Sequence, residues 1–418
     1  MMMGAERPTG ATSFLERSML LLIIVTLPLE SHMILVPGFS IQFMMFGIVA
    51  LYLLLGNASI LLRTVGQPLF LATYVFLLFA VAMEVTARNA DYSEIFRIGQ
   101  MIAGAILIAS ICRDLAALKV AFYGYLLAGA WLSVVLFMTS YGTIQGAAAT
   151  DFDAASRLRT EAFAENPIEA NINGMAFLAG QGAVVALASS FHARTVLFRY
   201  LFMGAGLFCM VAAFLPLSRG GVAITLISCA SVMYAYGLRQ GKVILMAVLL
   251  GAVLLILVPQ SVWSRMSFSF EAREGKVEGR ALVYGAAIDH LPEYFVTGVG
   301  SGNFWSSWAR SNEFGGHGGA SGAHNAFLQV TLYWGIGGLL ALLLVLWQAY
   351  RCIPQFANRE AAALGLIGIG VSLLLFSGVV HNLYAKEFCL GLGLLAAGRC
   401  WIWSNGIVPI THGQKLIS

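Results

Sequence analysis

The feature that most constrains this chain is a series of unbroken apolar runs, each about 17–25 residues long, separated by short polar links. A helix of that length crosses the hydrocarbon core of a bilayer, where every backbone polar group must find its partner within the protein. The runs lack the period-two alternation of barrel strands, so helices fit and a β-barrel does not. Composition agrees: 59% of the 418 residues are hydrophobic and 11% are charged, where a soluble domain carries about 25% charged residues. The expected fold is all-α, a polytopic membrane protein forming one integral domain over 1–418. A net charge of +4 is too small to suggest a nucleic-acid partner.

About twelve spans are predicted, at 16–29, 39–55, 69–86, 95–111, 117–139, 173–191, 196–216, 220–237, 241–259, 325–348, 361–380 and 387–404. No small-residue cleavage site follows the first run, which reads as a retained helix and not as a signal peptide. One set of links holds Arg63, Arg113, Lys119, Arg194, Arg199, Arg239, Lys242, Arg351 and Arg359, with Arg7, Arg17, Arg399 and Lys415 on the same side. The positive-inside rule makes that side cytoplasmic, with both termini inside. The first outward link, 30–38, is short, but two longer outward segments follow at 140–172 and 260–324. The second is expected to fold as short interfacial helices, one of them around Tyr284, and to form part of a functional site. The six cysteines fall in spans or at cytoplasmic ends, so no disulfide is expected.

Cations on the outward side escape the topology rule and need another reason. Ser218, Arg219, Gly220 and Gly221 open a span: a serine suited to capping, a five-donor fork, and glycines that would let a ligand approach the backbone. A helix N-terminus beside an arginine is an anion site, although the same arginine could snorkel to lipid phosphate. Arg280 begins a helical pattern that sets Arg280, Tyr284 and Ala287 on one face. Arg157 and Arg159 form a basic pair in the other outward segment, while Arg273 and Lys276 read as solvated loop charges. A glycine-rich loop delivers His324 and Asn325 to the mouth of the tenth span; the helix dipole there keeps the imidazole neutral and basic. His317 in that loop reads as a bystander. A second histidine, His381, precedes Lys386 and Glu387 at the outer end of the eleventh span. Asp151 and Asp153 lack flanking support as a metal site, so arginine is the expected counter-charge to a phosphate, with no metal and no cofactor. Glu84 and Glu30 could instead mark a transport path. The outward cations gather at one face and not at the midplane, which favours surface chemistry.

Three groups of residues resemble the O-antigen ligase and polymerase superfamily of bacterial envelope glycosyltransferases. They are Leu217 to Gly221 opening a span; Gly279 and Arg280 followed by Gly298, Val299, Gly300, Ser301, Gly302, Asn303 and Phe304; and His324 to Gln329 leading through Gly335, Ile336, Gly337 and Gly338. The segment between Arg157 and Asn171 is only loosely similar, since Ile168 follows Pro167. The resemblance implies an inner-membrane enzyme with a periplasmic site. Its donor would be a glycan on undecaprenyl pyrophosphate, and its acceptor a sugar hydroxyl, that of lipid A–core for a ligase or of another carrier-linked unit for a polymerase. Arg219 and Arg280 would bind the pyrophosphate and His324 would orient or deprotonate the acceptor. Arg157, Arg159, Asn325, Tyr284, His381 and Lys386 are the expected substrate-binding residues. Ligase ranks first, O-antigen or exopolysaccharide polymerase second, and protein glycosyltransferase or polysaccharide flippase follow.

Overall fold

The computed structural model describes residues 12–26, 28, 34–36, 39–87, 90–146, 154, 158, 161–163, 172–237, 241–267, 279–301, 325–354, 360–379 and 385–404. Over these residues the fold is all-α. The one exception is a two-stranded antiparallel ladder, Ile34–Val36 against Phe39–Ser40, where a plain outward loop was expected. The helices are α1 (Phe14–Val25), α2 (Ile41–Gly56), α3 (Ala58–Val65), α4 (Pro68–Thr86), α5 (Tyr92–Ile111), α6 (Leu115–Leu136), α7 (Ile172–Phe191), α8 (Val196–Phe214), α9 (Arg219–Gly237), α10 (Gly241–Leu257), α11 (Gln260–Ser267), α12 (Gly279–Tyr294), α13 (Ala326–Cys352), α14 (Ala361–Val379) and α15 (Lys386–Ser404). Short turns of π- and α-helix extend α6 as far as Gly146. Eight helices are long and apolar enough to cross a bilayer, namely α4 to α9, α13 and α14. The pair α2 and α3, bent by 110° at Asn57, makes a ninth candidate. Helices α1, α10 and α15 occupy the remaining expected spans. The chain is thus a multi-pass membrane protein.

Helix α7 is the centre of the bundle, with 83% of its span buried. Lipid tails are as apolar as leucine, so such helices associate by close packing at small residues. A Cβ on Gly182 would come within 3.0 Å of Gly129 Cα on α6 and 3.2 Å of Cys209 Sγ on α8. One on Gly180 would meet Thr225 Oγ1 of α9 at 2.1 Å, and one on Gly368 of α14 would meet Val184 at 2.3 Å. These contacts fix direction as well as distance. Ala176 and Gly180 of α7 face Gly221 and Thr225 of α9, so the two run parallel, while Gly206 of α8 faces Ala186 and runs against them. Helices α8 and α9 are antiparallel, as their short link requires, but α8 packs chiefly on α7, and α9 packs on α7 and α14 alike. A second seam joins α14 to α9, where Ser372 donates to Ser228 Oγ at 2.7 Å.

Helices α1 and α6 begin together at one face. Ser13 and Glu16 form a reciprocal cap on α1, Arg113 donates to the buried Glu16, and Arg17 lies 3.3 Å from Asp114. Asp114 also accepts from Thr12 N at 2.8 Å and caps α6 through Ala117 N at 2.7 Å. Burial alone would raise the Asp114 carboxyl, but the N–H groups of Ala117 and Thr12, the Thr12 hydroxyl and Arg17 together hold it below its ordinary value. Arg351 and Arg399 lie at the same face, with Arg399 Nη1 3.9 Å from Cys352 Sγ. All six cysteines are free.

Two outcomes follow. Gly182→Leu overpacks the α6–α7–α8 seam and should lower stability by about 1–3 kcal/mol; thermal unfolding in detergent, against the lipid-facing Leu78→Ala, measures it. A depressed Asp114 contributes stability that is present above the ordinary carboxyl range and lost as pH falls through its folded value. Asp114→Asn should therefore flatten the acid limb of the stability–pH curve below about pH 4.

Candidate functional site

Arg219 is positioned by a strained turn. Leu217, between α8 and α9, takes φ +53°, the one positive value at a non-glycine among the described residues. A leucine pays for that conformation only where its surroundings compel it; here it is buried, with its N–H on Phe214 O. The turn sets Ser218 at the head of α9. Its Oγ accepts from Gly221 N at 3.2 Å and donates to Asn173 Oδ1 on α7 at 2.8 Å. The expected cap is thus present, and it also ties α9 to α7. Arg219 follows in the first turn, half-buried and engaged. Gly221 departs from expectation. A Cβ there would sit 2.5 Å from Ala176 Cβ, so this glycine serves helix packing and not ligand approach.

Asn325 heads α13 in the same way, its Oδ1 accepting from Phe327 N at 2.9 Å and Leu328 N at 3.1 Å. Phe327 lies 3.8 Å from the Cβ position of Gly378 at the end of α14. Phe376 of α14 meets Phe177 of α7 with ring centroids 4.3 Å apart, and Ile224 of α9 completes that cluster. Ala385, immediately before Lys386, packs against it. The N-termini of α7, α9, α13 and α15 therefore gather at one face around an aromatic floor, opposite the face that holds Arg17, Arg113, Arg351 and Arg399. Four helix N-termini concentrate the positive ends of their dipoles, an arrangement suited to an anion.

The long helix α13 is broken on the way in. Trp334 (φ −129°, ψ 16°) and Gly335 (φ +68°, ψ −169°) leave helical geometry. Segment 295–301, which follows α12, fills the gap. Val299 N donates to Leu332 O at 2.9 Å, Gly300 N to Tyr333 O at 2.9 Å, and Ile336 N to Phe295 O at 2.7 Å. Carbonyls and an amide that the break frees are thereby paired again, which an apolar medium requires. Two glycines make the approach possible. A Cβ on Gly298 would lie 2.3 Å from Tyr333 O, and one on Gly335 would lie 2.3 Å from Val296 O. Gly337 and Gly338 accommodate Phe79 and the Trp334 side chain, and Gly300 takes φ +88°, a conformation that favours glycine.

Glu84, near the end of α4, holds this joint and is 0% exposed. Its carboxylate accepts from Trp334 Nε1 at 2.9 Å, Asp91 N at 2.8 Å and Ser301 N at 3.0 and 3.1 Å. The Ser301 hydroxyl lies between Glu84 Oε1 at 3.0 Å and Asp91 O at 2.8 Å. Hydrogen bonds to a charged group contribute about 1.5–3 kcal/mol each, and a donor left buried without its partner costs a similar amount.

Of the expected site residues, Arg219, Arg280, Asn325, Lys386 and Tyr284 are described, and Arg219, Asn325 and Lys386 share the face just defined. Tyr284 is half-buried on α12, and Ala287 on the same helical register is fully buried. Arg280 is the second residue of α12, placed by its backbone. His324, Arg157, Arg159 and His381 lie outside the described residues, as do His317 and Phe304. Asn173, Glu84 and Trp334 were not predicted as site-forming residues. Glu84 had a visible signal, an acid inside an apolar run, but its partners lie 217 and 250 positions away. Among the described residues no group of three His, Cys, Asp or Glu is disposed to hold a metal ion. Gly298→Ala should undo the joint: the added Cβ cannot coexist with Tyr333 O, so thermal stability should fall by about 2–4 kcal/mol, read by unfolding in detergent.

Residues 204–343 match the family model described as O-antigen ligase. The matched segment contains Arg219, helix α12 with Arg280, segment 295–301 and the break in α13. No curated protein matches the chain significantly. The likeness to the O-antigen ligase family thus rests on this segment, about a third of the chain, which carries all three resembling groups of residues.

Proposed function

We propose that this protein is an O-antigen ligase of the bacterial inner membrane. It transfers a glycan from undecaprenyl pyrophosphate to a sugar hydroxyl of lipid A–core at the periplasmic face, completing lipopolysaccharide. The observation that carries the reading is the clustering of helix N-termini with Arg219 at the face opposite the arginine-rich ends. Positive charge there has no topological reason and suits a pyrophosphate.

In this reading Arg219 and Arg280 bind the two phosphates, with the N-terminus of α9 adding backbone donors. His324 takes the proton of the acceptor hydroxyl. The acceptor oxygen then bonds to the anomeric carbon of the donor, the bond from that carbon to the phosphate oxygen breaks, and undecaprenyl pyrophosphate departs with its charge matched by the arginines. Positioning, charge stabilisation and one base suffice, so no metal is required. Asn325 orients α13 beneath His324; Tyr284, Lys386, Arg157, Arg159 and His381 contact the glycan or the phosphates. The apolar faces hold the polyprenyl tail.

The family also supports a polymerase, which differs in using a carrier-linked acceptor. The transport reading loses its motive, because Glu84 accepts hydrogen bonds from three segments and the broken helix faces the outer end of α4. Purified protein given carrier-linked glycan and lipid A–core in EDTA should produce glycan-extended lipid A–core. Longer carrier-linked chains alone would make it a polymerase, and product that appears only with magnesium would overturn the arginine mechanism. His324→Ala should lower turnover by about 10²–10⁴-fold, and Arg219→Ala and Arg280→Ala should abolish it; normal product from both arginine variants would refute the pyrophosphate clamp.

A further inference from the structure

Glu84 has no role in the chemistry above. Yet its carboxylate joins three parts of the chain that are remote in sequence: the α4–α5 link through Asp91, segment 295–301 through Ser301, and the break in α13 through Trp334. We propose that Glu84 is a positioning residue for glycan transfer. By clamping Ser301 and Trp334 it fixes segment 295–301 in the break of α13, and with it the helix that bears Arg280. The inference rests on the reading of Arg219, Arg280 and His324 as the site.

Three observations support it. Only a short stretch separates the end of α12 from Ser301, and within it Gly298 N donates to Tyr294 O at 2.8 Å, so α12 is pinned at the same joint. The joint also holds the first half of α13, whose head is Asn325, next to His324. Both expected catalytic elements thus leave the same clamp along continuous helix, α12 back toward Arg280 and the first part of α13 back toward Asn325. Finally, apolar packing could hold these pieces together but would not select one arrangement of them, whereas donors converging on two carboxylate oxygens are directional. A misplacement of about 1 Å in a reacting group costs on the order of 10²-fold in rate.

The test compares Glu84→Gln, Ser301→Ala and the lipid-facing control Leu78→Ala in the full-length purified protein. Glu84→Gln keeps the shape but turns one acceptor into an amide donor that faces another donor. Ser301→Ala removes one hydroxyl and serves if the first variant folds poorly. Expected for both clamp variants are amide exchange at Val299 and Gly300 faster by about tenfold, turnover lower by about 10–100-fold, and a donor KM within about threefold of wild type. Conservation of turnover, unchanged exchange, or a loss explained wholly by the unfolded fraction would overturn the proposal. If Glu84→Gln were fully active while Arg219→Ala was dead, only this inference would fall; an active Arg219→Ala would remove the site reading and this inference with it.

Discussion

A helix inside a membrane cannot stop hydrogen bonding where it bends, because no water is present to replace the lost partners. Helix α13 meets that demand by accepting another piece of the chain. Its break at Trp334 and Gly335 exposes carbonyls and an amide, and segment 295–301 presents complementary groups at hydrogen-bond distance. The outer architecture follows from this exchange. It draws the end of α12 against the bundle, sets the direction of the first part of α13, and provides Glu84 with the donors that keep a buried carboxylate tolerable. The position of the break is also informative. Residues 336–352 alone form a helix of about 25 Å, nearly enough to cross the hydrocarbon core, so the irregular backbone falls toward the end that carries Asn325 and not at the middle where transporters place theirs.

The second constraint is the close approach of small residues around α7. Gly180, Gly182 and Gly221 allow backbone distances that any side chain would prevent. Because α7 and α9 run parallel, their N-termini emerge side by side, and the Ser218–Asn173 hydrogen bond joins them. The packing of the bundle therefore produces the electropositive face, and no separate binding domain is needed to build it. Arg219 stands in the first turn of one of these helices, where a side-chain cation and the helix dipole reinforce each other toward an anion.

Much of the fold was legible because a bilayer allows few solutions. The apolar runs located the eight described helices that are long and apolar enough to cross a bilayer, and the capping residues Ser218 and Asn325 declared two helix starts by their chemistry. The break in α13 was written as Gly335, Gly337 and Gly338 but could be read only as a motif, since its cause is steric contact with a segment about 40 residues away. The role of Gly221 was misread for the same reason: a glycine near an expected ligand and a glycine against a neighbouring alanine look identical in sequence. Glu84 attracted notice as an intramembrane charge, but its meaning lies in Ser301 and Trp334, which no local pattern connects to it. The expected catalytic histidine, His324, rests on loop context and family resemblance, and it lies outside the described residues.

The central claim is that the face carrying the N-termini of α7, α9 and α13 receives the pyrophosphate of a lipid-linked donor. An experimental structure of the protein in nanodiscs with bound undecaprenyl-pyrophosphate-linked glycan tests it most directly. The account expects phosphate density within hydrogen-bond reach of both Arg219 and Arg280, with the sugar directed toward His324 and Asn325. Phosphate density at the opposite face, among Arg17, Arg113, Arg351 and Arg399, would contradict it.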